Sequence, residues 1–308
     1  MAHAADSTLP QEDTALSTFE TPQPISVTIA LPIGDVWIIA SDRSDTVVGV
    51  SPSDKSNEHD IKAAELTRVE YSHGTLLVKA PKRPFSFGKG GSVDVAIELP
   101  AGSKVKGESG VADFRCVGRL GECTFTSGVG NIRLEHTGQL TVTTGTGSIT
   151  VDRAVGRTDA TGAGDIRIGE VDGSAVIKNL NGDTWVGEIT GDLRCKAANG
   201  NITVDRAHAT IVAKTSNGDV RFGDVARGTV VLETALGELE VGIRPGTSAL
   251  LDVRSKFGSV HNSLAASDGP EPSDEKVEVR ARTSFGDIVV RRSDLQPSQD
   301  NTHGKKEV

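Results

Sequence analysis

Gly130-Asn131-Ile132-Arg133-Leu134 is the stretch of sequence that decides the fold, because close copies of it return at nearly constant spacing. Each copy is a glycine, then Asp, Asn or Ser, then two apolar residues separated by one position. Further copies begin at Gly147, Gly164, Gly182, Gly200 and Gly218, and looser ones at Gly237, Gly258 and Gly286. A period of 17 or 18 residues is typical of a solenoid, in which each coil packs only on its neighbours. We therefore predict an all-β fold, a parallel β-solenoid of the β-helix or β-roll type, with coils of 17–18 residues.

Each period also contains a second, weaker phrase about nine residues after the first, such as Gly173-Ser174-Ala175-Val176-Ile177. Apolar residues two positions apart are typical of a strand with one buried face. Stacking the coils predicts an inward column made of Ile132, Ile149, Ile166, Thr184, Ile202, Val220 and Leu239. The neighbouring column contains Leu134, Val151, Ile168, Val186, Val204, Phe222 and Val241.

The sequence divides into four regions. Residues 1–22 have the polar and acidic composition of a disordered tail, and residues 23–107 form a β-rich N-terminal cap region with irregular spacings. Residues 108–291 form the solenoid repeats, with a polar loop inserted at 264–276, and residues 292–308 are a second tail. A cap is expected because a bare terminal coil would expose unpaired strand edges.

Composition and charge exclude several classes of protein. The net charge of −9 disfavours binding to nucleic acid or to an anionic membrane, since both favour a basic face. The first twenty residues lack the apolar core of a signal peptide, and no stretch approaches the length of a membrane-spanning helix. The three cysteines, Cys116, Cys123 and Cys195, form no Cys-x-x-Cys pair and fall at positions predicted to face inward. We expect a cytoplasmic protein without a disulfide framework or a zinc site.

The Asp, Asn or Ser that follows each repeat glycine is the first candidate for a ligand site. Calcium-binding β-rolls place carboxylates at such positions, but they require Gly-Gly-x-Gly-x-Asp in every turn, which this chain lacks. We interpret these residues instead as turn formers whose side chains bond the local backbone.

A column of charged residues follows the first strand of each coil: His136, Arg153, Glu170, Glu188, Arg206 and Asp224. Glu170 and Glu188 lie about one coil step apart, roughly 4.8 Å, so they could act as a carboxylate pair in glycoside hydrolysis. Because Arg153 and Arg206 flank them, we favour the alternative of a surface ladder of ion pairs.

The sequence predicts no catalytic residue, no cofactor-binding residue and no metal ligand. A Gly-x-Ser-x-Gly elbow and a Gly-x-x-x-x-Gly-Lys-Ser/Thr phosphate loop are both absent, and the Gly-x-Gly pairs open strands rather than helices. The residues that could form an interaction surface are two outward tryptophans, Trp37 and Trp185, and two phenylalanines of a cationic loop, Phe85 and Phe87.

The repeated Thr-x-x-Gly-Asp-Ile-x-Val rhythm resembles the DUF4097 β-strand repeat family. Gly34-Asp35-Val36-Trp37-Ile38 and the strand from Ile97 to Val105 carry the same resemblance, which covers residues 25–291. The family is widespread in bacteria, including actinomycetes, and its members are described as candidate adhesins. The resemblance implies a parallel β-solenoid and no established catalytic residues.

We interpret the chain as a non-enzymatic, adhesin-like scaffold that binds a protein partner or a second copy of itself and has no evident small-molecule substrate. Two alternatives remain. One is a polysaccharide-active β-helix enzyme that uses an outward face. The other is a cytoskeleton-like scaffold that assembles through its coil ends.

Overall fold

The computed structural model describes residues 15–81, 91–264 and 275–294. Their alternating apolar and polar residues form strands that are buried on one face only, and these strands stack into two facing sheets. The predicted all-β parallel solenoid is therefore confirmed.

The N-terminal part contains seven strands and one helix. They are β1 (Ala15–Glu20), β2 (Ser26–Ile33), β3 (Val36–Ser41), β4 (Asp45–Pro52), α1 (Glu58–Glu65), β5 (Arg68–Ser72), β6 (Thr75–Lys79) and β7 (Val93–Pro100). Asn57 is the N-cap of helix α1, and its side chain accepts a hydrogen bond from the backbone N–H of His59 at 3.0 Å.

The regular coils contain sixteen strands in chain order. The first eight are β8 (Lys104–Val111), β9 (Phe114–Arg119), β10 (Cys123–Val129), β11 (Ile132–Thr137), β12 (Leu140–Thr146), β13 (Ile149–Val155), β14 (Thr158–Gly162) and β15 (Ile166–Asp172). The next eight are β16 (Ala175–Asn181), β17 (Thr184–Ile189), β18 (Leu193–Asn199), β19 (Ile202–Ala207), β20 (Ile211–Asn217), β21 (Val220–Val225), β22 (Gly228–Leu236) and β23 (Leu239–Ile243). The last four strands of the described chain are β24 (Thr247–Phe257), β25 (Val260–Asn262), β26 (Glu275–Phe285) and β27 (Ile288–Arg292).

Each coil gives one strand to each sheet. Sheet A has 14 strands in the order β1-β4-β7-β3-β9-β11-β13-β15-β17-β19-β21-β23-β27-β25. Sheet B has 13 strands in the order β24-β26-β22-β20-β18-β16-β14-β12-β10-β8-β2-β6-β5. Neighbouring strands are parallel except where β1, β4 and β5 pair antiparallel at the N-terminal end.

The predicted inward columns form the core. Ile132 lies opposite Ile149, which in turn lies opposite Ile166, and all three are at most 1% exposed. Sheet B supplies matching columns such as Leu140, Ala175 and Leu193. Because each apolar column packs against the facing sheet, the coils share one continuous core.

The repeat glycine is required by the stacking of the coils. Gly147 has φ +135°, and a Cβ at this position would lie 2.1 Å from the carbonyl oxygen of Gly130 in the preceding coil. Other side chains rarely adopt this backbone conformation, and the space for one is filled by the neighbouring turn. The recurrence of glycine at this position follows from these two constraints.

Both ends of the solenoid depart from sequential stacking. At the N-terminal end, β2 lies between β6 and β8, and β3 lies between β7 and β9. At the C-terminal end, β26 lies between β22 and β24, and β27 lies between β23 and β25. The last coil in the sequence is therefore not the last coil in space.

Two segments differ from the predicted regions. The composition predicts a disordered tail over residues 1–22, but Ala15–Glu20 form β1, which pairs with β4 in register from Ala15 opposite Val50 to Glu20 opposite Asp45. The inward side chain of Phe19 contacts Tyr71, with ring centroids 5.3 Å apart, so these residues close the end of the core. The predicted polar loop ends earlier than expected, because Glu275 and Lys276 already belong to β26.

Candidate functional site

One row of outward side chains along sheet A combines aromatic and cationic residues. We call it the Arg–Trp row, and it consists of Trp37, Arg115, Arg133, Thr150, Arg167 and Trp185. Each member lies directly opposite the next across parallel strands, so the row is five strand spacings long, about 24 Å. The two tryptophans predicted to form an interaction surface thus lie at the two ends of a single row.

The two tryptophans are held differently. Trp37 is 37% exposed on β3. Trp185 is half-buried, and its Nε1 donates a hydrogen bond of 3.3 Å to Oδ1 of Asp205. The six-membered ring of Trp185 lies close to Gly187, where a Cβ would come within 3.1 Å of it. The Trp185 indole therefore lies against Gly187 and is bonded to Asp205.

The arginines between the tryptophans are not neutralised. Arg115, Arg133 and Arg167 are exposed, and within the described part of the chain none of them has a hydrogen bond or an ion pair. Arg221, three spacings beyond Arg167, does have a partner, since its Nε lies 2.5 Å from Glu240. Three guanidinium groups without a partner in the described residues therefore stand in one row on a protein of net charge −9.

A shallow groove of about 450 Å³ lies beside the N-terminal part of this row. Trp37 also lines it, and its polar lining includes Asp35, Asp113, Arg115, Asn131, Arg133 and Ser148. The groove thus offers guanidinium donors and an aromatic face along its length.

The Asp and Asn residues beside the groove form a ladder between coils. The backbone N–H of Asp113 donates to Oδ1 of Asp35 at 3.0 Å, and that of Asn131 donates to Oδ1 of Asp113 at 2.6 Å. The same contact joins Asp183 to Asp165 at 3.0 Å. The prediction that these Asp and Asn side chains bond to the backbone is confirmed. The backbone that they bond belongs to the next coil, however, and not to their own turn.

The charged column also forms ion pairs. Glu170 lies 3.2 Å from Arg153, and Glu188 lies 2.6 Å from Arg206 and 2.8 Å from Nε2 of His208. Burial alone would raise the pKa of Glu188, but hydrogen bonds from Arg206 and His208 outweigh it and hold the pKa below the ordinary value of 4.5. The predicted pairing of Glu170 and Glu188 with the flanking arginines is confirmed, whereas Asp224 pairs with Arg244 outside the column.

The cysteines lie in the core. Cys116, Cys123 and Cys195 are buried and unpaired, as predicted. Burial raises the pKa of Cys123 and of Cys195 to about 12. Within the described ranges, no group of three or more His, Cys, Asp or Glu is arranged to hold a metal ion. Phe85 and Phe87, the other two residues of the predicted interaction surface, lie outside the described residues.

The family model Toastrack DUF4097 matches residues 26–291, the span from β2 to β27. The chain belongs to this family. The resemblance seen in the repeat phrase is thereby confirmed. A comparison with curated proteins gives no match to this Toastrack chain.

Three solved structures are similar to the Toastrack chain at low sequence identity. One is a candidate adhesin from Parabacteroides merdae, with 13% identity, coverage of 91% of this chain and 97% of the other, and a TM-score of 0.38. Another is a candidate lipid-binding protein from Parabacteroides distasonis, with 12% identity, coverage of 90% and 97%, and a TM-score of 0.39. A third is a candidate adhesin from Bacteroides fragilis, with 12% identity, coverage of 91% and 98%, and a TM-score of 0.32.

The Arg–Trp row shows what reasoning from the sequence missed. The arginines occupy the fourth position of the repeat phrase, as in Gly130-Asn131-Ile132-Arg133, so aligning the copies would have placed them in one column with Trp37 and Trp185. In the part of the Toastrack chain that the structure describes, no helix has the length and apolarity needed to cross a membrane.

Proposed function

We propose that the protein is a non-enzymatic binding scaffold whose Arg–Trp row holds an acidic polysaccharide extended along the solenoid axis. The observation that carries this proposal is the set of three unpaired arginines between two outward tryptophans. A guanidinium binds a carboxylate through two parallel hydrogen bonds, and an aromatic face packs against the apolar face of a sugar ring.

The pattern of hydrogen bonds in the groove favours an acidic ligand. Although Asp35 and Asp113 line the same groove, each carboxylate already accepts a hydrogen bond from the backbone of the next coil. Arg115 and Arg133 have no such partner in the described residues. The groove residues that lack any partner in the described chain are therefore the two arginines, and these are hydrogen-bond donors.

The sheet itself favours a polysaccharide over a peptide strand. Peptides bind many β proteins by adding a strand to an open sheet edge. The strands that carry the Arg–Trp row, from β3 to β17, are paired on both sides, so they offer no backbone groups to a peptide. A ligand here must be recognised by side chains alone, which suits a sugar polymer with repeated carboxylates.

The proposal also accounts for the charged column without catalysis. A glycosidase needs one carboxyl group to be protonated as an acid. Glu188 is instead held ionised by Arg206 and His208, and Glu170 is paired with Arg153. The ladder contributes to the surface of the scaffold rather than to a reaction.

Isothermal titration calorimetry with a purified polyuronate oligomer tests the proposal. The double variant Arg115→Glu, Arg133→Glu is expected to bind at least about tenfold more weakly than the wild type. The matched control is Lys178→Glu, Lys196→Glu, because these exposed lysines lie opposite each other on the outer face of sheet B. The control makes the same change in net charge, and its affinity is expected to match that of the wild type.

Three results would count against this function. The first is equal loss of affinity in both double variants, which would indicate a non-specific charge effect. The second is tighter binding of an acidic peptide or of single-stranded DNA than of the polyuronate, which would assign the row to another ligand. The third is release of reducing ends from the polyuronate, which would support the enzyme alternative.

A further inference from the structure

The two ends of the solenoid are closed to different degrees. At the N-terminal end, Leu76 and Val78 of β6 are fully buried, because β5 extends sheet B beyond them and Phe19 packs on Tyr71. At the C-terminal end, Ala249, Leu251 and Val253 of β24 belong to the inward column but are only half-buried. The residues opposite them on the neighbouring strand β26 are at most 2% exposed, and these are Val277, Val279 and Ala281. The apolar core is therefore open at the C-terminal end of the described chain.

The backbone at this end is open as well. Strand β24 has 11 residues and is the last strand of sheet B, so one side of it has no strand neighbour in the part of the chain that the structure describes. Strand β25 ends sheet A in the same way, and its inward Val260 is 44% exposed. A long, apolar edge strand of this kind is a template for pairing with another chain.

We propose that the occupant of this end is a second copy of the chain, bound C-terminal end to C-terminal end about a two-fold axis that is perpendicular to the sheet and runs between the two β24 strands. Such an axis pairs β24 with β24 of the second copy in antiparallel fashion and places both inward faces on the same side. It brings the two β25 edges together in sheet A by the same rotation. Both sheets and the core would then continue from one copy into the other.

The sequence of β24 selects the register of this pairing. A one-residue slip would turn the apolar column outward, so only axes centred on a residue keep the core continuous. An axis at Asp252 or at Arg254 places that residue opposite the same charge in the second copy. An axis at Val253 instead places Asp252 opposite Arg254 of the second copy, twice by symmetry, and packs Val253 on Val253 of the second copy.

Asp252 and its arginine partners already form ion pairs within one copy of the chain. Asp252 lies 3.3 Å from Arg254 on its own strand and 3.3 Å from Arg282 on β26. The side chain of Arg254 is 76% accessible, so its guanidinium can turn from Asp252 of its own strand to Asp252 of the second copy. The outward face of β24 is thus complementary to itself only in the antiparallel arrangement.

Sedimentation velocity of the full chain at rising concentration tests the proposal. We expect a monomer–dimer equilibrium without larger species, since the N-terminal end is closed. Asp252→Arg and Arg254→Asp should each raise the dimer dissociation constant by roughly tenfold or more, because like charges would meet twice across the axis. The double variant Asp252→Arg, Arg254→Asp restores opposite charges and should restore dimerisation. Lys178→Asp, on sheet B but far from the end, is the control for net charge.

Hydrogen exchange of the β24 amides supplies a second readout that does not depend on the variants. For the β24 amides that point away from β26, we expect protection that increases with protein concentration and is lost on dilution, because the other amides of β24 are already bonded to β26. A monomer at every concentration would overturn the proposal, as would a dimer that both single variants leave intact. Concentration-independent protection of the β24 amides that point away from β26 would mean that a segment of the same chain covers the edge. Oligomers larger than a dimer would mean that the contact is not closed by a two-fold axis.

Discussion

At the scale of single residues, Glu188 makes the stability of the fold depend on pH. Its pKa is lowered in the folded protein because hydrogen bonds from Arg206 and His208 outweigh the effect of burial. A carboxyl group with a lowered folded-state pKa stabilises the fold above its unfolded-state pKa, and this contribution is lost as the pH falls through the folded-state value.

We therefore expect Glu188→Gln to lower the free energy of unfolding at neutral pH and to have little effect well below pH 4.5. Urea unfolding followed by circular dichroism at the two pH values measures the difference. Glu122→Gln is the control, because the ion pair of Glu122 with Lys104 is mostly exposed and should contribute little at either pH. A destabilisation by Glu188→Gln that is the same in acid would contradict the assignment.

The cysteines give a second prediction at this scale. The pKa of Cys123 and of Cys195 is raised to about 12 by burial, and burial raises the pKa of Cys116 as well. Because the thiolate is the reactive form, the native protein should not react with a thiol reagent at neutral pH, whereas the urea-unfolded chain should react at all three positions. Rapid labelling of the native protein would show that the core opens around these residues.

At the scale of the coil, replacing a repeat glycine lowers stability in two ways, through backbone strain and through steric overlap with the preceding coil. Gly147→Ala combines a positive φ with a Cβ that would lie 2.1 Å from a carbonyl oxygen of the preceding coil. We expect it to lower the free energy of unfolding by about 3 kcal/mol or more. Gly156→Ala is the matched control, because Gly156 has φ +95° but a Cβ added there would have no neighbouring atom within 4 Å.

In the control variant, the free energy of unfolding should therefore fall only by the cost of backbone strain, about 1–2 kcal/mol. Equilibrium urea unfolding of the two variants and the wild type measures both costs. Equal losses of stability would mean that close stacking of the turns does not constrain the repeat phrase.

The exchanged order of the last coils gives a prediction about elements. Strands β26 and β27 separate β24 and β25 from the rest of the solenoid. A chain that ends after residue 264 retains β24 and β25 but lacks the strands on which they pair. We expect its residues 247–262 to exchange their amide hydrogens like an unfolded chain, while residues 104–225 stay protected.

A chain that ends after residue 246 is the control for this truncation. It lacks all four strands, and it should show the same protection of residues 104–225, because each coil of a solenoid is stabilised mainly by its neighbours. Protection of β24 in the longer truncation would show that β24 can pair directly with β22.

At the scale of the whole molecule, the two proposals together predict that a dimer binds a long polysaccharide more tightly than a monomer does. The proposed two-fold axis keeps both copies of sheet A on one face, so the two Arg–Trp rows would lie on the same side of the joined solenoid. Five strand spacings separate Trp185 from the open edge, which puts the rows on the order of 50 Å apart. A polymer long enough to span both rows gains from the second contact, and a short oligomer does not.

Asp252→Arg should therefore weaken the binding of a long polyuronate by roughly tenfold or more and leave the binding of a short oligomer unchanged. Calorimetry with the two lengths of ligand, above the dimer dissociation constant of the wild type, makes the comparison. Equal effects on both lengths would separate ligand binding from dimerisation.

The sequence by itself determined the solenoid. The repeat phrase specifies which residues face inward and which turn requires glycine, and the parallel registers follow from it, as between Ile132, Ile149 and Ile166. The outward direction of Trp37 and Trp185 and the inward direction of the cysteines could also be predicted, since both depend only on alternation along a strand. These features are local, so a repeated local pattern is sufficient to encode them.

Only the tertiary structure decided how the coils are ordered at the two ends and which outward residues share a row. The insertion of β26 and β27 between earlier strands depends on contacts between residues far apart in the chain, and a repeat pattern that fits any neighbouring coil does not select among them. Strand β1 was missed for the same reason, because its pairing partner is β4 and its own sequence is largely polar. The groove beside Trp37 depends likewise on the register that brings Arg115 and Arg133 next to it, and the open C-terminal end follows from which coil is left without a neighbour.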